Sequence, residues 1–364
     1  MSHPPPMPPL EHLDPARFET PAILKKLVAA HRQLAELKGV AASVPNQSIL
    51  IRTLGLQEAK DSSEIESIVT THDELFREAV ALDTATASPA AKEVARYSHA
   101  LQVGFASVRN SGLLTGNHIL EIQAALEKSR PGYRKVPGTV LRDGAGRVIY
   151  APPLPELLPG LMSDLERFIN DASGYPTDPL VKMALIHHQF ESIHPFYDGN
   201  GRTGRIINVL YLVKEGLLDI PVLYLSRAIV RSKSDYYLLL QSVRESDRWE
   251  DWVLYLLGAV ERTAAEGIAT IQAIKALLME YKHRIRAAHK FYSQDLITNL
   301  FSHPYTKIDF LMRDLKVSRI TATRYLDLLV ADGLLRKRKF WRNNYYVNEP
   351  LFRILTGEAP PAGE

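Results

Sequence analysis

The sequence predicts a mostly α-helical protein with one short β-hairpin and a C-terminal region of different construction. Three observations carry that reading. Through most of the chain, apolar residues recur at the i, i+3, i+4 spacing of a helix with one buried face. Two β-prone runs flank Asp143-Gly144-Ala145-Gly146, a sequence suited to a hairpin turn. From Phe291 to about Leu355 the pattern shortens. There Tyr305 to Leu315 and Ser318 to Leu329 read as two brief helices turned at Val317 and Ser318. Strand-like Leu334-Leu335 and Tyr345-Tyr346-Val347 follow.

Composition sets bounds on function. A chain of 364 residues has room for two or three domains and ample core. Its 46% apolar and 23% charged content is ordinary for a globular protein. A net charge of +3 is too mild to mark a dedicated nucleic-acid binder. The absence of cysteine excludes disulfides, thiolate nucleophiles and cysteine zinc sites. Met1 to Pro9 is proline-rich without the apolar core of a signal peptide, and the apolar run Trp252 to Val260 is too short to span a bilayer. The expectation is a cytoplasmic protein with no membrane partner.

In chain order, Met1 to roughly Glu19 reads as a tail whose prolines prevent regular structure. Pro21 to Leu37 has helical periodicity in Ile23, Leu24, Leu27, Leu34 and Leu37, with Pro21 suited to a first turn. Pro45 to Leu54 opens another helix. Lys60 to Val69 then offers two readings. Ser63 with Glu66 three residues on is a capping box, and Ser62 with Glu66 four residues on shares one helical face. Ala91 to Val108 and Leu114 to Ser129 read as helices, Tyr133 to Pro153 carries the hairpin, and Pro155 to Asn170 is helical again. Leu223 to Leu238 continues the helical body, and Trp249 to Met279 closes it.

The most informative stretch is Ile193 to Arg205, lying between helical runs Asp178 to Phe190 and Ile206 to Val213. It concentrates His194, Asp198, Asn200, three glycines and two arginines in one junction. The glycines permit a sharp turn and close approach to a ligand. The second helix presents its N–H groups to the junction, which makes a ready anion site. Arg202 and Arg205 share one side of its first turn and oppose the helix dipole there, so a polyanionic ligand explains them better than local stability does. His194 can serve as a base near neutral pH, and Asp198 can hold a magnesium ion together with phosphate oxygens. A calcium loop is excluded, because Arg202 and Thr203 stand where it needs an acceptor and a glycine.

His194 to Arg205 resembles the HPFx(D/E)GNGRxxR motif of the Fic family of AMP transferases at every specified position. The resemblance implies a Fic helical core with the hairpin as its flap. It implies that His194 deprotonates a target hydroxyl, which attacks the α-phosphorus of ATP while pyrophosphate leaves. It places Gly199, Asn200, Gly201, Arg202, Thr203, Gly204 and Arg205 around the phosphates, and Phe196 as the loop's anchor. Tyr236 and Tyr237 become candidates for the adenine pocket, or else core aromatics. Ser62 to Ser67 is similar to the family's inhibitory (S/T)xxxE(G/N) motif, with Ser67 in place of Gly or Asn. By that likeness Glu66 pairs with Arg205 in the ATP site and blocks the γ-phosphate. The flap would clamp the target's backbone by strand addition.

The C-terminal region resembles a winged helix, with Arg319, Thr321, Thr323 and Arg324 on exposed helix positions and Arg336 to Asn344 as a basic wing. DNA binding, protein contact and dimerisation all stay open for it. The reading divides the chain into a tail (1–19), an N-terminal region with the inhibitory helix (20–90), a Fic catalytic core (91–280) and a winged-helix domain with its tail (281–364). It makes the protein an adenylyltransferase that uses ATP and Mg2+ on a Ser, Thr or Tyr hydroxyl of a target protein, itself included. The alternatives are a Fic-type enzyme that removes AMP, and an ATP-sensing DNA-binding regulator.

Overall fold

A computed structural model describes residues 7–79, 88–142, 144–170, 174–340 and 343–358. The first helices are α1 (Pro21–Ala42), α2 (Gln47–Ile65), α3 (His72–Ala79), α4 (Pro89–Ser111) and α5 (Gly116–Glu127). The hairpin β1 (Leu141–Arg142) and β2 (Val148–Tyr150) precedes α6 (Leu158–Asn170), α7 (Pro179–Ile193) and α8 (Asn200–Lys214). Then come α9 (Leu225–Arg231), α10 (Lys233–Ser246), α11 (Trp249–Ala288) and α12 (Gln294–Ser302). The chain ends with β3 (Tyr305–Thr306), α13 (Ile308–Leu315), α14 (Arg319–Ala331), β4 (Arg336–Phe340), β5 (Asn343–Val347) and α15 (Glu349–Thr356). The fold is mostly α-helical, as expected. It forms two compact units, Met1–Ala35 with His99–Ala264 and Glu36–Ser98 with Ala265–Glu364, the division falling inside α1, α4 and α11.

The first unit is built around α7. Every residue of α7 after Pro179 is buried, and apolar residues are spread around the helix rather than along one face. It starts where the Asp178 carboxylate accepts the Leu180 N–H at 2.8 Å and Pro179 fills the first helical position. Its polar side chains find partners inside. His187 Nε2 lies 2.9 Å from the Tyr236 hydroxyl, and its ring stacks on Trp252, whose indole N–H donates to the Ala184 carbonyl at 2.8 Å. α6 and α8 pack against α7. The expected N-terminal tail joins this unit from Leu10 onward. Leu10–His12 and Pro15–Phe18 form 3-10 turns, Leu10 and Phe18 are buried, and Phe18 sets its edge on Trp249. Two apolar side chains outweigh the prolines there.

In the second unit, α2 packs against α12 and α15. Phe76 stacks on Tyr305 and meets Phe352 edge-on, and the Tyr305 hydroxyl donates to Asp73. The strands form an antiparallel sheet in the order β3-β5-β4. Two expectations are corrected here. Tyr305 and Thr306 pair with Val347 and Tyr346 as a strand, so the first short helix starts later, at Ile308. Leu334 and Leu335 do not form a strand. Gly333 takes a left-handed turn (φ 69), and both leucine N–H groups donate to the Leu329 carbonyl, at 2.9 and 3.2 Å, closing α14. The basic run itself is the strand, with Arg338 opposite Tyr345. Asp143 of the hairpin turn, together with Trp341 and Arg342 of the wing, lies outside the described residues.

Candidate active site

α7 stops because His194 adopts a left-handed backbone (φ 48, ψ 60) and Pro195 follows it. The loop is then tied down from several sides. Phe196 is buried against Phe190 and Tyr133, the anchor the sequence suggested. The Asn200 side chain accepts the Phe196 N–H at 2.8 Å and donates to the Phe196 carbonyl at 2.9 Å, so its amide clamps the loop. Gly199 caps α8 at φ 75, and a Cβ there would stand 2.7 Å from Glu127 Oε1. Gly204 allows α8 to lie close on α7, since its Cβ would meet Glu191 Oε1 at 2.6 Å.

Arg134, whose importance the sequence gave no way to see, holds the loop from outside. Its backbone N–H donates to the Pro195 carbonyl and its Nε to the His194 carbonyl, both at 2.9 Å. Its guanidinium also donates to the Pro153 carbonyl. Arg244 was missed as well. It lies 3.9 Å over the Tyr150 ring, donates from Nε to Ser192 Oγ at 2.9 Å, and donates to the Glu191 carbonyl at 3.2 Å. The Tyr150 hydroxyl donates to the Ser192 carbonyl at 2.9 Å, and Gln241 donates to the Ile149 carbonyl at 2.9 Å. The hairpin is thereby fixed to the end of α7 and to α10.

Burial, with these cations adding to it, sets the state of His194. Burial lowers its pKa to about 4, helped by the charges of Arg244 and Arg134, while the Glu191 carbonyl and Asp198 pull weakly upward. Among the described residues, no group meets hydrogen-bond geometry with its buried Nδ1. The imidazole is therefore neutral near pH 7, the form that accepts a proton. Arg202 is 1% exposed and donates to Glu127 Oε1 at 3.1 Å, with Asp198 Oδ1 at 3.5 Å. Glu127, at the end of α5, was not foreseen. Arg205 and Thr203 are buried on the same helix. Asn200, Gly201 and Arg202 open α8 and give the junction the N–H groups of a helix start. Together they form a cationic bed beside a neutral base.

Asp198 accepts the Gly199 N–H at 2.7 Å through Oδ1, yet its side chain is 74% exposed. One exposed carboxylate suits a magnesium ion that arrives on phosphate oxygens. Among the described residues no group of three His, Asp or Glu side chains could hold a metal alone. Of the two readings offered for Tyr236, its surroundings fit the core aromatic. It is buried against Trp252 and Tyr255, burial raises its pKa strongly, and its hydroxyl is used by His187. Tyr237 is exposed.

Ser62 and Glu66 belong to the second unit. The capping-box reading is corrected, because Ser63 lies in the last turn of α2 and Glu66 caps its C-terminus. The N–H groups of Glu66 and Ile68 both donate to the Ser63 carbonyl at 3.0 Å. Ser67 then takes a left-handed backbone (φ 66), a conformation that favours glycine and asparagine. In the C-terminal module, Arg319 pairs with Asp309 at 2.9 Å, Lys337 with Asp327 at 2.9 Å, and Arg338 and Arg336 with Glu349 at 2.7 and 3.6 Å. Thr321 donates its N–H to the Ser318 cap at 3.2 Å, and the Thr323 hydroxyl donates to the Arg319 carbonyl at 2.8 Å. Arg324 lies over Tyr325, and Ile320 beside them is 84% exposed.

Residues 24–106 match a family model described as Fic/DOC family N-terminal, and residues 113–212 one described as Fic/DOC family. Residues 277–351 match the C-terminal domain of the protein adenylyltransferase SoFic-like family. The chain is similar to protein adenylyltransferase fic-1 of Caenorhabditis elegans, 29% identical over 147 residues, which is 38% of this chain and 27% of that protein. It is also similar to protein adenylyltransferase Fic of Drosophila melanogaster, 32% identical over 114 residues, or 31% of this chain and 22% of that one. The matched stretch thus spans about a quarter of each relative's length. In fold it is similar to a Fic family protein from Desulfovibrio desulfuricans, at TM-score 0.57 and 22% identity over 92% of this chain and 98% of that one. A Fic domain signaling protein from Bacteroides thetaiotaomicron gives TM-score 0.54 at 20% identity, over 67% and 97% of the two chains.

Proposed function

The chain carries Fic/DOC family domains, and on that premise we propose that it transfers AMP from ATP to a hydroxyl of a target protein. The observation that carries the reading is the neutral His194 imidazole beside a glycine-opened helix start with two buried arginines. The triphosphate lies across the N–H groups of Asn200, Gly201 and Arg202, with Arg202 and Arg205 offsetting its charge. The target hydroxyl oxygen forms a bond to the α-phosphorus, and His194 takes its proton. The bond from that phosphorus to the bridging oxygen breaks, and pyrophosphate leaves. Asp198 is the residue that would hold the magnesium of Mg-ATP, whose charge offsets that of the departing pyrophosphate. Tyr237 is the tyrosine with surface to offer an adenine.

The target is a protein bearing a Ser, Thr or Tyr hydroxyl, and this chain is one such protein. Val148 and Ile149 are exposed on the hairpin, which suits the addition of a target strand with apolar side chains. Glu66 is the inhibitory residue, competing with the γ-phosphate for the Arg205 guanidinium. The left-handed backbone at Ser67 supports that assignment, since it is the conformation that a motif ending in Gly or Asn would require. For the C-terminal module the exposed Ile320 and the internally paired cations favour a protein partner over DNA. No described helix is long and apolar enough to cross a membrane.

Mass spectrometry of the purified protein after incubation with Mg-ATP tests the reading. AMP should appear on a hydroxyl side chain, more in Glu66→Gly than in the wild type, and not in His194→Ala. No incorporation by either the wild type or Glu66→Gly, on itself or on proteins of a lysate, would overturn it.

A further inference from the structure

The second unit contains a cavity of about 490 Å³, away from every residue assigned above. α2, α12 and α13 line it, and its volume lies in the range of small-molecule sites. Three features of its wall point to a ligand. Arg52 makes no hydrogen bond or ion pair with any described residue, although it borders the cavity. His303 also borders it, with a buried Nδ1 that has no hydrogen-bond partner among the described residues. Phe310 adds an aromatic face, with the Arg313 guanidinium 4.9 Å from its ring centre.

The remaining charges are already engaged or at the rim. Asp314 accepts from Asn299 and from Arg313, each at 2.7 Å. Burial pushes its carboxyl up, but those bonds and the charges of Arg313 and Arg52 outweigh this and hold the pKa below the usual value. Asp314 is thus an anion with its own partners. Asp295 is exposed in the first turn of α12 and makes no hydrogen bond or ion pair with any described residue. The wall therefore offers one uncommitted guanidinium, one unsatisfied imidazole nitrogen and one rim carboxylate.

We propose that this cavity binds a small oxyanion that also carries a hydroxyl or amine, either a phosphate monoester or a carboxylate. Arg52 takes the oxyanion, with its planar donors matched to two oxygens. His303 supplies a second hydrogen bond from Nδ1, and Asp295 accepts from the ligand's hydroxyl or amine. The volume exceeds that of a bare ion and leaves room for an organic part against Phe310.

Three probes of one carbon skeleton test this on the full chain: glycerol 3-phosphate, glycerate and glycerol. Calorimetric titration should show saturable binding of the phosphate or the carboxylate at millimolar or lower concentration, and none of glycerol. Which anion binds identifies the source chemistry. Arg52→Ala, at an exposed position, should keep its melting temperature and weaken binding at least tenfold. His303→Ala should weaken it similarly. Saturable binding that survives Arg52→Ala would be binding at the α7–α8 junction and would overturn the proposal. Absence of binding by both anions would overturn it as well.

Discussion

Arg202 and Arg205 sit buried at the start of α8, whereas Arg319 and Arg336 stand on the surface of the C-terminal module at 65% and 68% side-chain exposure. Both regions read as basic clusters in the sequence. The surface arginines pair with carboxylates of their own module, contacts worth about 0–1 kcal/mol each at such exposure. The junction arginines are held out of water at the positive end of a helix, where burial of a charge carries a penalty of several kcal/mol that needs an anion to offset it. Arg202 has Glu127 for part of that role. The lesson is that burial against a helix start, rather than the number of cations, marks the place where a polyanion is handled.

The largest expected effect that could break this contrast is at His194. His194→Ala should lower AMP transfer by about 10²–10⁴-fold while ATP binding persists, because the cationic bed remains. Near-normal turnover would remove His194 from the chemistry. The electrostatics of the junction predict a pH profile as well. With the His194 pKa at about 4 in the free protein, kcat/KM should show its acid limb near pH 4. A limb near 6.5 would mean that the imidazole is not desolvated as described.

Stability should follow the same groups. His187 and His188 are held at a pKa of about 3 by burial, and His194 and His303 at about 4. Unfolded, each binds a proton near 6.5 that the folded protein excludes, so stability is complete above pH 6.5 and is lost as pH falls toward 4. Urea unfolding across that window checks this, and a flat profile would contradict it.

At the C-terminal module the expected effect is smaller. Because Arg319, Lys337 and Arg338 already have carboxylate partners, duplex DNA should bind weakly, and neutralising the wing lysines and arginines should change that little. Tight binding with a steep salt dependence, lost on neutralisation, would reverse the comparison. The smallest effect is at Ser67. Ser67→Gly should stabilise the protein by about 1 kcal/mol, since glycine takes the left-handed backbone without the steric penalty. A lower melting temperature would contradict that account.

The sequence made legible what was local. His194 to Arg205 announced a helix–loop–helix junction, and Gly199 and Gly204 fell where positive φ and close helix approach need them. The buried helices followed from apolar spacing. What stayed hidden came from elsewhere in the chain. Arg134, Arg244 and Glu127 look like ordinary surface charges in their own segments, and only the fold brings them to the loop. Ser63 and Glu66 fit a helix start by composition, but α2 had begun far upstream, so the same residues close it instead. Leu334 and Leu335 looked like a strand because the carbonyl that captures their N–H groups lies across a glycine turn.

The central claim is that Glu66 restrains an otherwise competent junction. The most direct measurement is AMP incorporation and melting temperature for Glu66→Gly beside the wild type. Loss of a charge-assisted contact worth about 1.5–3 kcal/mol predicts a rate increase of roughly 10- to 150-fold. The melting temperature should fall by no more than that lost contact accounts for, because a glycine is itself well tolerated at the end of a helix. An unchanged rate would contradict the claim and leave Glu66 as the C-terminal cap of α2.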